Sequence, residues 1–332
     1  MIPFAEYMDR VLYGPAGYYS TGIAKSGKNG DYFTAPDVGS VFGQLLAEIV
    51  DGWKEKLNST SFSIIEVGAG EGRLAQDILK SSPMPYTVIE RSQTRRDALK
   101  TIPGLTIYED LLSAPPMEGV LFGNELVDAF PVHRIAMKKG RLLELYVEEG
   151  TTRRFVWSEP SSPKLQAYLD RLKVELPDGY ETEINLAMAE WLRAASHALS
   201  KGILLLIDYG RPAHEYYAPE RTRGTLRAFS KHKVSADFLD PNGMVDLTAD
   251  VDFSSLALDA AQAGFIPLAF MELGTFLLQG VERHRHPETL DRRGLKYLIH
   301  PEGMGSAFHV LVLGKNIQPS DWAFEHNRLK RL

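Results

Sequence analysis

The chain has 332 residues, 44% hydrophobic and 24% charged, the proportions of a packed globular protein and long enough for two average domains or one elaborated α/β domain. A formal charge of −6 leaves no overall positive field for a phosphate backbone, and the lack of cysteine excludes disulfides, thiolate catalysis, iron–sulfur clusters and cysteine-type zinc sites. The longest apolar runs, 202–207 and 308–313, are strand-length, far short of the roughly 20 residues a bilayer demands.

Residues 1–40 are rich in Tyr and Gly with little periodicity, and read as a cap over one edge of a sheet. They carry neither a basic-plus-apolar leader pattern nor an Arg-rich presequence, so the expected location is cytoplasmic, or the mitochondrial matrix if a targeting segment is missing. Ser63–Val67 reads as a buried strand running into Gly68-Ala69-Gly70-Glu71-Gly72, followed by a helix over Arg73–Lys80. Tyr86–Glu90 is a strand, Gln93–Lys100 a helix and Leu105–Tyr108 a strand; Gly119–Gly123 and Gly202–Ile207 are the fourth and fifth strands. Strands separated by helices imply an α/β fold with a mainly parallel, doubly wound sheet.

About seventy residues separate the fourth and fifth strands, far more than a crossover needs, so a lobe is inserted at 132–198. It opens with a hairpin, Arg134–Met137 and Leu142–Val147, around Gly140, and continues as helices near 163–173 and 181–199. A helix over Asp252–Gly264, a strand over Phe265–Met271, a mostly helical stretch and a last strand near Ala307–Leu313 follow. The expected organisation is a cap at 1–40, a core at 41–131 and 199–315, the lobe at 132–198 and a tail at 316–332.

Glu66-x-Gly68-x-Gly70-x-Gly72 opens a helix directly after a strand, where backbone amides converge and the helix dipole favours a polar ligand group. A dinucleotide fingerprint needs a small residue where Arg73 stands, so this spacing reads instead as the nucleotide-binding turn of class I S-adenosylmethionine-dependent methyltransferases. Dinucleotide binding by an NAD(P)-dependent oxidoreductase and a purely structural turn are the alternatives. Glu90, 20 residues after Gly70, closes the second strand where a carboxylate can accept from both ribose hydroxyls. Glu109 and Asp110 close the third, toward an adenine amino group. Gly22–Asn29 almost spells a phosphate-binding loop, but Asn29 replaces the magnesium-ligating Ser or Thr and no strand precedes it. His284 and His286 lack a convergent third ligand and read as a solvated face, so no metal is expected.

Asn124-Glu125-Leu126-Val127-Asp128 through His133 follows the fourth strand, at the carboxyl edge where ligands of open α/β sheets bind. Glu125, Asn124 and Asp128 are the candidate catalytic residues. Asp208-Tyr209-Gly210 ends the fifth strand and adds Asp208 and Tyr209, with Asp246 and His133, as candidate substrate-binding residues.

Together with Gly30-Asp31-Tyr32-Phe33-Thr34-Ala35-Pro36, Gly224-Thr225-Leu226-Arg227 and Asp246–Phe253, these segments resemble the MidA family of class I methyltransferases over nearly the whole chain. The resemblance implies a Rossmann-like fold and an S-adenosyl-L-methionine site using Glu66, Gly68, Gly70, Glu90, Asp110 and Asn124, with Gly30 and Thr34 in a loop lying over it. It further implies N-methylation of arginine in a protein partner, a respiratory-complex subunit being the family's characterised acceptor. A methyltransferase-like assembly scaffold with little turnover is the rival reading, a homodimer is left open, and neither nucleic acid nor a membrane span is expected.

Overall fold

The computed structural model describes residues 1–22, 27, 33–148, 150, 153–230, 233–235, 238–239 and 245–332. Gly30 and most of Gly22–Asn29 therefore lie outside the described residues. The strand–helix alternation folds into a central sheet of seven principal strands: β1 (Phe62–Val67), β2 (Tyr86–Ile89), β3 (Leu105–Tyr108), β4 (Met117–Asn124), β5 (Leu199–Arg211), β6 (Ile266–Glu272) and β7 (Phe308–Lys315). Their spatial order is β6-β7-β5-β4-β1-β2-β3, with β7 antiparallel to both neighbours and every other pair parallel. The chain winds outward from β1 to β3 and returns to the other side of β1 as β4, which opens a crevice at the carboxyl ends of β1 and β4.

Helices Val41–Leu57, Arg73–Ser81 and Leu273–Arg283 bury their apolar stripes on one face of this sheet, and Met188–Ala198 and Phe253–Gln262 cover the other. The Phe253 helix starts where the Asp252 carboxylate accepts from the Ser254 and Ser255 amides, both at 3.1 Å. Two glycines let the middle strands approach: a Cβ on Gly202 (φ +136°) would lie 1.9 Å from the Gly119 carbonyl oxygen, and one on Gly119 (φ +142°) 2.0 Å from that of Ser63. Gly202→Ala is accordingly expected to destabilise the fold by about 3 kcal/mol or more, through backbone strain and overpacking together. Urea unfolding measures this, and a loss below about 1 kcal/mol would show that the strands can part at little cost.

Outside the central sheet, His133–Lys138 and Arg141–Glu148 form the expected hairpin, extended by Arg154–Ser158 and Glu181–Ile184 into an antiparallel sheet that Ile2–Pro3 joins along Arg141–Glu148. Two expectations change here. Residues 181–184 are a strand, because Thr182 and Ile184 suit the pleat beside His133–Lys138. The helix that follows starts at Met188 and packs Met188, Leu192 and Ala195 on the central sheet, serving as the β4–β5 crossover.

Part of the N-terminal segment expected to show little periodicity is a helix. Phe4, Tyr7, Met8, Val11 and Leu12 recur at helical spacing and bury one face of the helix Phe4–Tyr13 in a cluster with Val132, Leu145 and Val147. A small antiparallel sheet of Arg227–Ser230, Lys233–Ser235 and Asp246–Thr248 packs into that cluster through Ala228 and Leu247. The segment around Asn327 lies along β6, where the Asn327 side chain donates to Leu268 O (2.8 Å) and accepts from Phe270 N (3.1 Å).

Candidate functional site

β1 ends at Val67, and the chain reverses through Gly68, Gly70 and Gly72, all with positive φ. A Cβ on Gly70 would meet nothing within 4 Å, so the turn leaves open space in front of its backbone. Glu90, at the end of β2, closes one side of that space. Its Oε2 accepts from Gly70 N (3.2 Å) and its Oε1 from Ser92 N (2.9 Å), leaving each oxygen a lone pair for a hydroxyl. Behind the turn Glu66 is buried and accepts from Tyr86 Oη (2.7 Å); burial, against that hydrogen bond and with Glu90 adding, pushes its carboxyl up to about 7.

The loop after β4 begins with a strained residue. Glu125 has φ +51°, a left-handed conformation that disfavours a side chain by about 1–2 kcal/mol. Asp208 from β5 helps to hold it there: its Oδ2 accepts from the amides of Leu126 (3.1 Å), Val127 (2.7 Å) and Asp128 (3.2 Å), while Glu125 N donates to Ile207 O (2.8 Å). The Glu125 Oε1 accepts from Asn124 Nδ2 (3.1 Å) and Ala35 N (3.2 Å), and Tyr209 Oη lies 3.4 Å from Oε2. Burial first, then the Asp128 charge, pushes the Glu125 carboxyl up to about 8. Burial and the neighbouring Asp208 and Asp246 hold Asp128 well above the usual carboxylate range.

The turn and the loop line one cavity of about 900 Å³. It brings together the predicted Glu66, Gly68, Gly70 and Glu90 from the glycine turn and the end of β2 with Asn124, Glu125, Asp128, Tyr209 and Asp246. Thr34 and Asp110 also line it; Thr34 donates to Asp37, and Asp110 caps the amide of Ser113 at 2.9 Å. Two predicted substrate residues are placed elsewhere. Asp208 is 1% exposed behind the loop, where its oxygens are committed to backbone amides, and His133 Nδ1 pairs with Glu144 Oε1 at 2.6 Å on the neighbouring sheet. Gly30 lies outside the described residues.

Several lining residues were not foreseen. Tyr13 and Tyr19 stack at 5.5 Å, with Tyr13 Oη on Ala129 O (3.0 Å) and Tyr19 Oη on Asp246 Oδ1 (2.7 Å). Trp191 meets Phe130 edge-on, and the Arg227 guanidinium, paired with Asp250, lies 5.8 Å over the Tyr209 ring. Nothing in the local sequence marks Tyr13, Tyr19 or Trp191 as lining residues.

Two buried oxygens without a partner, Asn124 Oδ1 and Asp128 Oδ1, belong to cavity-lining residues. Such acceptors cost stability unless a donor reaches them. An adenosine-bearing sulfonium ligand fits the rest: space at Gly70, a carboxylate for ribose hydroxyls and apolar Leu111 near Asp110.

Comparison with known proteins agrees with that chemistry. The sequence model of a family described as S-adenosyl-L-methionine-dependent methyltransferases matches residues 45–271. The mitochondrial protein arginine methyltransferase NDUFAF7 homolog of Drosophila melanogaster is 29% identical, over 94% of this chain and 81% of its own length. Its human counterpart is 27% identical, over 94% and 80%. A superfamily member from Burkholderia thailandensis, solved with S-adenosyl-homocysteine bound, superposes with a TM-score of 0.87 at 28% identity, covering 100% of this chain and 92% of that one.

Proposed function

The chain belongs to this family of S-adenosyl-L-methionine-dependent methyltransferases, and from that premise we propose that it methylates a guanidinium nitrogen of arginine in a protein partner. The observation that carries the reading is the set of carboxylates Glu125, Asp128 and Asp246 that line the same cavity as the glycine turn, with one Asp128 oxygen unpartnered. The names of the mitochondrial relatives support the acceptor class.

Gly68, Gly70, Glu90 and Asp110 would hold the donor, which supplies an electrophilic methyl group on a sulfonium sulfur. The residues around it then have to align the acceptor and exclude water. Guanidinium is a poor nucleophile because it stays protonated, with a free pKa above roughly 12. Glu125 and Asp128 answer this by a paired grip on the fork, which draws positive charge toward one nitrogen and leaves the other richer in electrons. Glu125 also takes the proton that the methylated nitrogen releases. Asp208 acts behind them by fixing the loop backbone.

A pH dependence follows. Glu125 must be ionised to grip and to accept the proton, and its folded value is about 8. Turnover at saturating donor is therefore expected to rise with pH through about 8 and level above it. A rate flat from about pH 6 to 9 would remove Glu125 from proton transfer.

We place the acceptor among respiratory-complex subunits and the chain in the cytoplasm of its cell; fractionation checks the second. Mass spectrometry of cells lacking the protein tests the first. The expected result is loss of a methyl mark on arginine of such a subunit, and loss confined to lysine or to small molecules would overturn the arginine reading.

A further inference from the structure

Thr34 and the 3-10 turn Ala35–Val38 form a short strap beside the cavity, which Thr34 and Pro36 line. Asp37 organises it. Its Oδ2 accepts from Thr34 N (3.0 Å) and Thr34 Oγ1 (2.8 Å), and its Oδ1 accepts from Arg73 Nη1 (2.5 Å), at the first position of the helix that the glycine turn opens. The Asp37 side chain is 1% exposed and that of Arg73 46%, with the second Arg73 Nη donating to Glu71 Oε2 at 2.8 Å, so the pair is screened on the arginine side only. The amides at the start of a helical turn lack partners within it. Here Thr34 N goes to Asp37, Pro36 has no N–H, and Asp37 N goes to Thr34 O (2.9 Å). The remaining donor, Ala35 N, reaches Glu125 Oε1 at 3.2 Å.

We propose that Arg73 and Asp37 are positioning residues for methyl transfer: their ion pair seats the strap on the glycine-turn helix so that the Ala35 amide fixes Glu125, linking the donor turn to the acceptor carboxylate. This rests on the assignment of Glu125 above. It also gives Arg73 a task, where the sequence showed only that its bulk disfavours a dinucleotide. The groups facing Glu125 are Asp128 on its own loop, Asp208 and Tyr209 from β5, and Asp37 on the strap. These groups are acidic or neutral; cations beside them include Arg227, 5.8 Å over the Tyr209 ring and acting on Asp128, and Arg73 on Asp37. Losing Arg73 removes one tether between the strap and the glycine-turn helix and loosens the Ala35 amide, which favours protonated Glu125.

The test uses the full chain, S-adenosyl-L-methionine at saturation and an arginine-containing protein acceptor. Arg73→Gln is expected to lower kcat about tenfold near pH 7.5, with the rise in the pH profile displaced to higher pH and turnover recovering above it. Arg73→Lys, which keeps the charge but not the fork, shifts the profile less. Ala35→Pro deletes the one amide donor at a position where a turn accepts proline, and adding Arg73→Gln to it is expected to change kcat and the profile little further. Effects of Arg73→Gln confined to donor affinity, an unmoved profile, or full additivity with Ala35→Pro would each overturn the relay and leave Glu125 in its role. The profile of the Gln and Lys variants decides the matter even where the proline variant does not fold. If Glu125→Gln keeps full turnover, the reading beneath the relay fails with it.

Discussion

Glu125→Gln lowers turnover by about 100-fold or more while leaving donor affinity within a few-fold, as measured by transfer of a radiolabelled methyl group and by calorimetric titration with S-adenosyl-L-methionine. The amide keeps the size of the carboxylate, and its oxygen can still accept from Ala35 N and Asn124 Nδ2, while its NH2 can donate to Tyr209 Oη in place of accepting from it. It cannot pair with a guanidinium or accept a proton. The donor side of the cavity, Gly70 with Glu90, touches none of these atoms in the hydrogen-bond network, so affinity there is preserved.

The same variant should be more stable than its parent. The folded carboxyl titrates near 8 against an ordinary value of 4.5, so across that interval the native state binds more protons than the unfolded chain. Stability from this group is present below the unfolded value and declines as pH rises through the folded one. Removing the titration should raise the thermal midpoint near pH 8 by roughly 2 °C or more. Unchanged turnover would end the catalytic assignment; lost turnover together with a lower midpoint would mark Glu125 as a structural residue.

Gly70→Val is the second large effect, on donor binding, with an expected loss of affinity of about 100-fold or more, near 3 kcal/mol. Two causes act together. A β-branched residue at φ +57° is strained, and its side chain occupies the open space before the turn. Glu90→Ala removes the acceptor for ribose hydroxyls without blocking the space, and should cost less. Calorimetry separates them, since wild-type affinity in Gly70→Val would mean that the ligand does not approach this backbone.

The donor half of this site is legible in the sequence because it is local. Glu66, Gly68, Gly70 and Glu90 fall within one β-α-β unit, and strand alternation with glycine spacing places them at one crevice. The acceptor half is legible only in part: the sequence marks Glu125, Asp128, Tyr209 and Asp246 but not the groups they meet. Tyr19 meets Asp246 only because a small sheet and the N-terminal helix converge on the same cluster, and neither element has a pattern that names its partner. Asp208 and His133 illustrate the same limit. Asp208 lies near the carboxyl end of β5 and His133 begins the hairpin strand His133–Lys138, yet one turns its carboxylate into backbone amides and the other pairs sideways with Glu144. A register position says which edge a residue occupies; the competing hydrogen-bond donors decide where its side chain goes.

The bond from Tyr19 to Asp246 spans 227 positions, and that from Tyr7 to the Phe238 carbonyl 231, whereas Gly70 meets Glu90 only 20 positions on. The two halves of the site therefore have different histories during synthesis. A ribosome adding about 5–20 residues each second needs on the order of ten seconds to travel from Glu90 to Asp246. In that interval the emerging chain holds the pieces of a nucleoside cradle, while the tyrosine wall has no carboxylate to close on. Loop closure over such separations is also slow relative to local contacts. Competence to transfer a methyl group is in this way deferred until about three quarters of the polypeptide has emerged.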